Sequence, residues 1–175
     1  MTVRSTIAGL ALIAFSLTGT GLAFAQDTAD KAKAVKEEDG KWFDADGTPT
    51  FNIQNDGTVD WYTFSGYRRY HSDCHVCHGP DGVGSSYAPA LADTLKTMDY
   101  GTFLSIVAEG RTNVGGGKEN VMPGFGDNKN VYCYMDDLYV YLRARAVGAA
   151  PRGRPPKKAE KSQAIKDAEA SCMGG

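Results

Sequence analysis

The chain has 175 residues, 42% of them hydrophobic and 23% charged, with a formal net charge of −2. That balance argues against nucleic acid as a partner. The length suits one domain with a modest core and extensions at its ends.

At the N-terminus Arg4 precedes an apolar run from Ile7 to Leu17, broken only by Gly9 and Ser16 and followed by Ala23-Phe24-Ala25. This pattern predicts a secretory leader over residues 1–25, removed after Ala25. The run is shorter than the roughly 20 residues a membrane anchor needs. The expected mature chain is periplasmic, has no stable membrane insertion, and lies where disulfides can form.

Residues 26–58 form an N-terminal extension. Gln26 to Gly40 is rich in Ala, Lys, Asp and Glu and reads as a short exposed helix or an unordered lead-in. In "KWFDADGTPTFNIQNDGTVDWY" (41–62), aromatic or β-branched residues alternate with polar ones around Asp46-Gly47 and Asn55-Asp56-Gly57. One or two short strands with tight turns are expected there, with Trp42 and Trp61 as packing anchors.

A helical domain is expected over 59–147. Tyr62, Gly66 and Tyr70 share one helical face in a helix running into Cys74. A second helix has Asp99 as N-cap, Phe103, Ile106 and Val107 as its apolar stripe, and Gly110 as its stop. "RTNVGGGKENVMPGFGDNKN" reads as a long Gly/Asn-rich loop. A third helix, about Tyr132 to Ala146, has Asp136 and Asp137 early and Arg143 and Arg145 late, the order its dipole favours; Leu138, Tyr141 and Leu142 make its buried face.

Residues 148–175 read as a basic, Pro-rich tail extended over the surface. Residues 26–62 carry 4 basic and 9 acidic side chains and residues 143–175 carry 8 and 3, so the two ends are opposite in charge. Solvated ends and docking faces both suit that pattern.

Cys74-His75-Val76-Cys77-His78 is C-x-x-C-H, the spacing at which two thiols join the vinyl groups of a haem and the next histidine ligates iron. Zinc would need two more soft ligands close by, and Cys133 and Cys172 are single and distant. A thioredoxin-type site would need a βαβ setting that is missing. Covalent haem is the reading favoured in an exported chain, with His71 and His75 as surface residues near its edge. For the sixth iron ligand the chain offers Met98, Met122, Met135 and Met173. Met122 stands in the glycine-rich loop before Pro123, whose fixed φ would stiffen the ligand's backbone.

These motifs together resemble a class I c-type cytochrome. In that family a glycine and an aromatic, here Gly66 and Tyr70, precede the first haem cysteine and cross a C-terminal helix like that bearing Leu138 and Tyr141. The resemblance implies a mainly α fold of three to five helices around one covalent haem c, with a short hairpin-like N-terminal extension and a C-terminal tail. It also implies that the carbonyl of Pro89, in "YAPAL", orients the haem imidazole. "YHSDCHVCHGPDG", "NVMPGFGDN", "YLRARA" and "SCMGG" are similar to the four-cysteine cytochromes of methanol metabolism, relatives of cytochrome cL.

That likeness implies an electron carrier and not an enzyme. Its donor would be a pyrroloquinoline quinone (PQQ) methanol dehydrogenase of the lanthanide-dependent kind, and its acceptor a second c-type cytochrome or an oxidase. Alternatives are a carrier for another periplasmic alcohol dehydrogenase, a cytochrome module of an oxidase, or a haem peroxidase or gas sensor, which needs an open iron position. Cys74 and Cys77 would attach haem, with His78 and Met122 as axial ligands. Cys133 and Cys172 then remain, and one disulfide between them is the economical reading over free thiols. The run Gly115-Gly116-Gly117 lies close to the ligand loop, with no assigned role.

Overall fold

The computed structural model describes residues 31–115 and 118–174, with backbone alone for 113–115 and 118–120. The expected leader and the Ala25 cleavage site lie outside the described residues. Three antiparallel strands come first, β1 (Lys36–Glu38), β2 (Lys41–Phe43) and β3 (Pro49–Thr50), in the order β1-β2-β3. Glu38 pairs with Lys41, so Asp39-Gly40 is a two-residue turn with φ of 54° and 88°. Asp-Gly suits a turn that needs both central residues left-handed. A strand therefore stands where a helix or unordered lead-in was expected.

Asp60 accepts hydrogen bonds from Thr63 N at 2.9 Å and Thr63 Oγ1 at 2.6 Å, capping helix α1 (Trp61–Arg69). The same carboxylate accepts from Asn52 N at 2.8 Å, which ties the extension to the helix start. Beyond Arg69 the expected helix does run on, but residues 70–74 widen into a π-turn before α2 (His75–His78). Such wide turns often mark functional positions. A short helix α3 (Leu91–Thr94) and then α4 (Tyr100–Glu109) come next; Asp99 caps α4 by accepting from Thr102 N, and Gly110 ends it at φ 81°.

Residues 111–122 depart from the expected loop. Strands β4 (Arg111–Gly115) and β5 (Lys118–Met122) pair antiparallel, Arg111 opposite Met122 and Gly115 opposite Lys118. Gly116-Gly117 separates them in sequence, a dipeptide favoured in two-residue hairpin connections. Thr112, Val114 and Val121 supply the β-branched residues that suit the paired strands.

After the short helix α5 (Lys129–Tyr132) comes α6 (Met135–Ala146), buried nearly all round. Its expected face is there, Leu138, Tyr141 and Leu142 each being 1% exposed, but Tyr139, Val140 and Ala144 are buried as well. Helix α6 crosses α1 at Gly66, where an added Cβ would overlap the Asp137 carbonyl and come within 2.7 Å of Tyr141 Cβ. Tyr70, Leu95, Phe103, Val107 and Val131 complete the core with the residues of α6.

The tail is not wholly extended. Ser162 accepts from Ile165 N and starts α7 (Gln163–Met173), whose Ile165 is buried. Cys133 and Cys172 are joined, with Cα atoms 5.8 Å apart; in the chain-entropy account a loop of this size stabilises by about 4 kcal/mol. The opposite charges of the two ends partly meet each other. Lys157 Nζ lies 3.1 Å from Asp56, Lys158 and Lys161 stand 5.0 Å and 5.3 Å from the Trp61 ring centre, and Ala159 N donates to Val59 O at 2.8 Å.

Asp137 of α6 is buried at the crossing. Desolvation raises its pKa to about 8, with Ser65 and Arg69 opposing and Glu169 and Asp136 adding to the rise. The folded carboxyl therefore keeps its proton where the unfolded one has lost it, so stability falls from about pH 4 to pH 8 and is then level. Asp137→Asn should stabilise the protein by about 1–3 kcal/mol at pH 8 and by less at pH 5. Urea midpoints at the two pH values check this, and an equal effect at both would contradict it.

Candidate haem site

The π-turn and α2 set the two free thiols one turn apart, which brings residues i and i+3 onto one helix face. Cys74 is half-buried and borders the core, whereas Cys77 is exposed. Burial, helped by Asp73 and Cys77, pushes the Cys74 thiol up to about 12. His78 is 7% exposed, and its Nδ1 lies 2.9 Å from Pro89 O. A carbonyl only accepts, so Nδ1 carries the proton and Nε2 presents its lone pair.

The loop after the motif is laced to it. Tyr70, wholly buried, donates its hydroxyl to Gly79 O at 2.5 Å and accepts from Gly82 N at 3.0 Å. Gly84 N donates to His78 O at 2.7 Å, and Ser85 Oγ donates to Cys77 O. Gly79 must be glycine: its φ is 72°, and a Cβ would overlap Gly84 O. Tyr87 N donates to Ser85 Oγ at 3.0 Å, within a turn closed by Ser85 N to Ala88 O at 3.0 Å. The Tyr87 ring is 78% exposed and Val76 73%. Between residues 74 and 92 the only Asp, Glu, Lys or Arg is Asp81, which is buried; Asp73, just before this segment, is half-buried.

Met122 ends β5 and packs half-buried against the core cluster, as do Cys74, Met98 and Phe125. Its loop lies on the end of α4: Phe125 N donates to Val107 O and Gly126 N to Ala108 O, each at 2.9 Å. A Cβ at Gly124 would come within 2.8 Å of Ala108 O, so the glycines of "PGFG" permit this close approach.

His71 and His75 are half-buried rather than fully exposed. His71 stacks on Tyr67 with ring centres 4.2 Å apart, its Nδ1 is 2.9 Å from Tyr67 O, and its Nε2 is 3.4 Å from Asp81. Asp81 and Tyr87 lie inside quoted motifs, but the roles of Asp81, Ser85 and Tyr87 carry no signal in the sequence, because the spacing of their partners appears only once the chain is folded.

The donor set fits one covalent haem: two unbridged thiols on one turn, an imidazole with its outer nitrogen held, and a thioether bordering the same core as Cys74. Among the described residues no three His, Cys, Asp or Glu side chains converge as a metal site, and the disulfide removes Cys133 and Cys172 as thiolate ligands.

Residues 64–142 match the family "Cytochrome C oxidase, cbb3-type, subunit III". The chain is 55% identical over 138 residues to cytochrome c-553I of Paracoccus denitrificans, covering 79% of this chain and 61% of that relative's length. It is 37% identical over 100 residues to cytochrome c-555 of Methylococcus capsulatus (strain ATCC 33009 / NCIMB 11132 / Bath), covering 57% and 75%. A crystal structure of the c-type cytochrome XoxG from Methylobacterium extorquens AM1 superposes with a TM-score of 0.79 at 58% identity, covering 84% of this chain and 90% of that one. The chain belongs to the c-type cytochromes, with the mainly helical class I fold. Its cofactor is therefore covalently attached haem c.

Tyr70→Phe leaves Gly79 O and Gly82 N without the buried hydroxyl. The haem protein should lose about 1–3 kcal/mol of stability with its visible spectrum kept, as urea unfolding tracked at the Soret band will show. An unchanged midpoint would mean that the phenol does not hold the loop.

Proposed function

We propose that this protein is an exported, single-haem electron carrier. It takes electrons from a PQQ-dependent methanol dehydrogenase of the lanthanide type and passes them to a second c-type cytochrome or an oxidase in the periplasm. Supporting the reading are the identity to c-type cytochromes XoxG and c-553I and the likeness of "YHSDCHVCHGPDG" and "NVMPGFGDN" to the cytochromes of methanol metabolism. None of the described helices is long and apolar enough to cross a membrane.

The single observation that carries a transfer role is the port. Cys77 is exposed next to the exposed Val76, and Ser85 links the Cys77 carbonyl to the backbone of the exposed Tyr87, so an electron could leave or enter at the attachment segment while the Met122 side stays packed. In this reading Cys74 and Cys77 would hold the haem through thioethers, and His78 Nε2 and the Met122 sulfur would both ligate its iron. The haem supplies one-electron chemistry at its iron. Pro89 O holds the His78 ring in orientation, and the β5-to-α4 contacts hold the Met122 backbone. Closure of both axial positions disfavours peroxidase or gas-sensing activity.

A second reading, a cytochrome module serving an oxidase, draws on the family match over residues 64–142. The oxidised protein, mixed with a lanthanide-type methanol dehydrogenase and methanol without dye, should be reduced rapidly and saturably. Reduction by an oxidase-linked donor alone would favour the second reading.

Met122→Ala should open the iron to carbon monoxide and lower the reduction potential, since a thioether ligand raises it. Met98→Ala should do neither, which is the outcome that separates Met122 from another methionine bordering the core. At the port, Tyr87→Ala should slow reduction by the dehydrogenase about tenfold through loss of an aromatic contact, with the potential unchanged in voltammetry. An unaltered rate would place docking elsewhere.

A further inference from the structure

Asp81 stands three residues beyond His78, and haem attachment does not account for it. It occupies the left-handed region, φ 56° and ψ 23°, a conformation that side-chain-bearing residues seldom adopt. Its carboxylate side chain is 8% exposed and gathers partners from three other parts of the fold. Gly153 N donates to Oδ1 at 3.0 Å, and Tyr141 of α6 donates its hydroxyl to the same oxygen at 3.3 Å. His71 Nε2 lies 3.4 Å from Oδ1 and Arg152 Nε 3.4 Å from Oδ2. Arg145 Nε donates to the Asp81 carbonyl at 3.2 Å.

Burial alone would raise the pKa of this carboxyl. The Gly153 and Arg152 hydrogen bonds and the charges of His71 and Arg145 more than offset it and hold the value below the usual carboxylate range. The partners around the group thus favour its ionised form. A buried ion pair is seldom needed for stability, since desolvation cancels much of its Coulombic gain. A neutral amide could bridge the same segments, so the charge itself calls for a role.

The geometry points to Asp81 as a potential-setting residue: a fixed negative charge in the loop that carries His78, which favours ferric over ferrous haem and lowers the reduction potential. Adding one electron from an external reductant to the ferric haem lowers its charge by one unit. A nearby anion opposes that step and a nearby cation assists it, and low exposure keeps the effect from being screened. Asp81 acts through the field and touches no reacting atom. The inference rests on the covalent haem and not on which dehydrogenase supplies the electron.

Spectroelectrochemical titration of the holoprotein tests it with two variants of opposite sign. Asp81→Asn keeps the shape and removes the anion; at a fixed applied potential its ferrous-to-ferric ratio should rise roughly three- to tenfold. Arg152→Gln removes an adjacent cation whose side chain is 62% exposed, so folding should survive, and the ratio should fall. Both should keep the low-spin haem spectrum of the parent. An unmoved potential in Asp81→Asn, or shifts of the same sign in both variants, would overturn the assignment, the latter because a loosened loop and not a charge would then be acting. If Asp81→Asn does not fold, Arg152→Gln decides: a fall supports the role, and no change or a rise overturns it.

Discussion

The crossing of α1 and α6 at Gly66 is the contact on which the other parts depend. With no side chain at Gly66, the Asp137 carbonyl and the Tyr141 side chain can come against α1. That approach puts Tyr141 beside Tyr67 and Tyr70, ring centres 5.7 Å apart in both pairs. Tyr70 then reaches Gly79 and Gly82, and Tyr141 reaches Asp81. One missing methyl group is in this way connected to the conformation of the loop behind His78. The same closeness buries Asp137, whose retained proton is a cost of the packing.

The two sides of the site are held by different means. On the histidine side, hydrogen bonds to backbone groups set the geometry: Pro89 O on the imidazole, the Tyr70 hydroxyl across the turn, and Gly84 N on the carbonyl of His78 itself. On the methionine side, the β4–β5 hairpin delivers Met122 and the carbonyls at the end of α4 hold the chain beyond it. The first side is a short, local structure. The second depends on strand pairing and on glycines thin enough to lie on a helix end.

The C-terminal segment is part of the same framework. Its lysines cover Trp61, its backbone pairs with Val59, Gly153 and Arg152 bind Asp81, and the disulfide fastens α7 to the turn before α6. A tail that composition alone reads as surface coil thus reaches the loop that follows His78. This also accounts for part of the charge contrast between the ends of the chain, since Lys157 pairs with Asp56 within the molecule.

Local signals in the sequence determined what depends on neighbours in the chain. C-x-x-C-H specifies covalent haem because its reacting groups lie on one turn, Asp99 and Gly110 bound α4 because caps act within four residues, and Leu138, Tyr141 and Leu142 mark a face by helical period. Other local signals are present but hidden by composition: Asp39-Gly40 is a hairpin dipeptide, and Ser162 opens a helix in a stretch dominated by proline and lysine. The tertiary structure alone decided which distant groups meet. Asp81 finds Gly153, Arg152, Tyr141 and His71, and the "PGFG" loop finds the end of α4, through contacts between segments far apart in sequence, and no periodicity or spacing encodes such meetings. Burial and long-range pairing arise only when α1 and α6 close on each other, and they are what turn a readable motif into a site with a definite electrostatic setting.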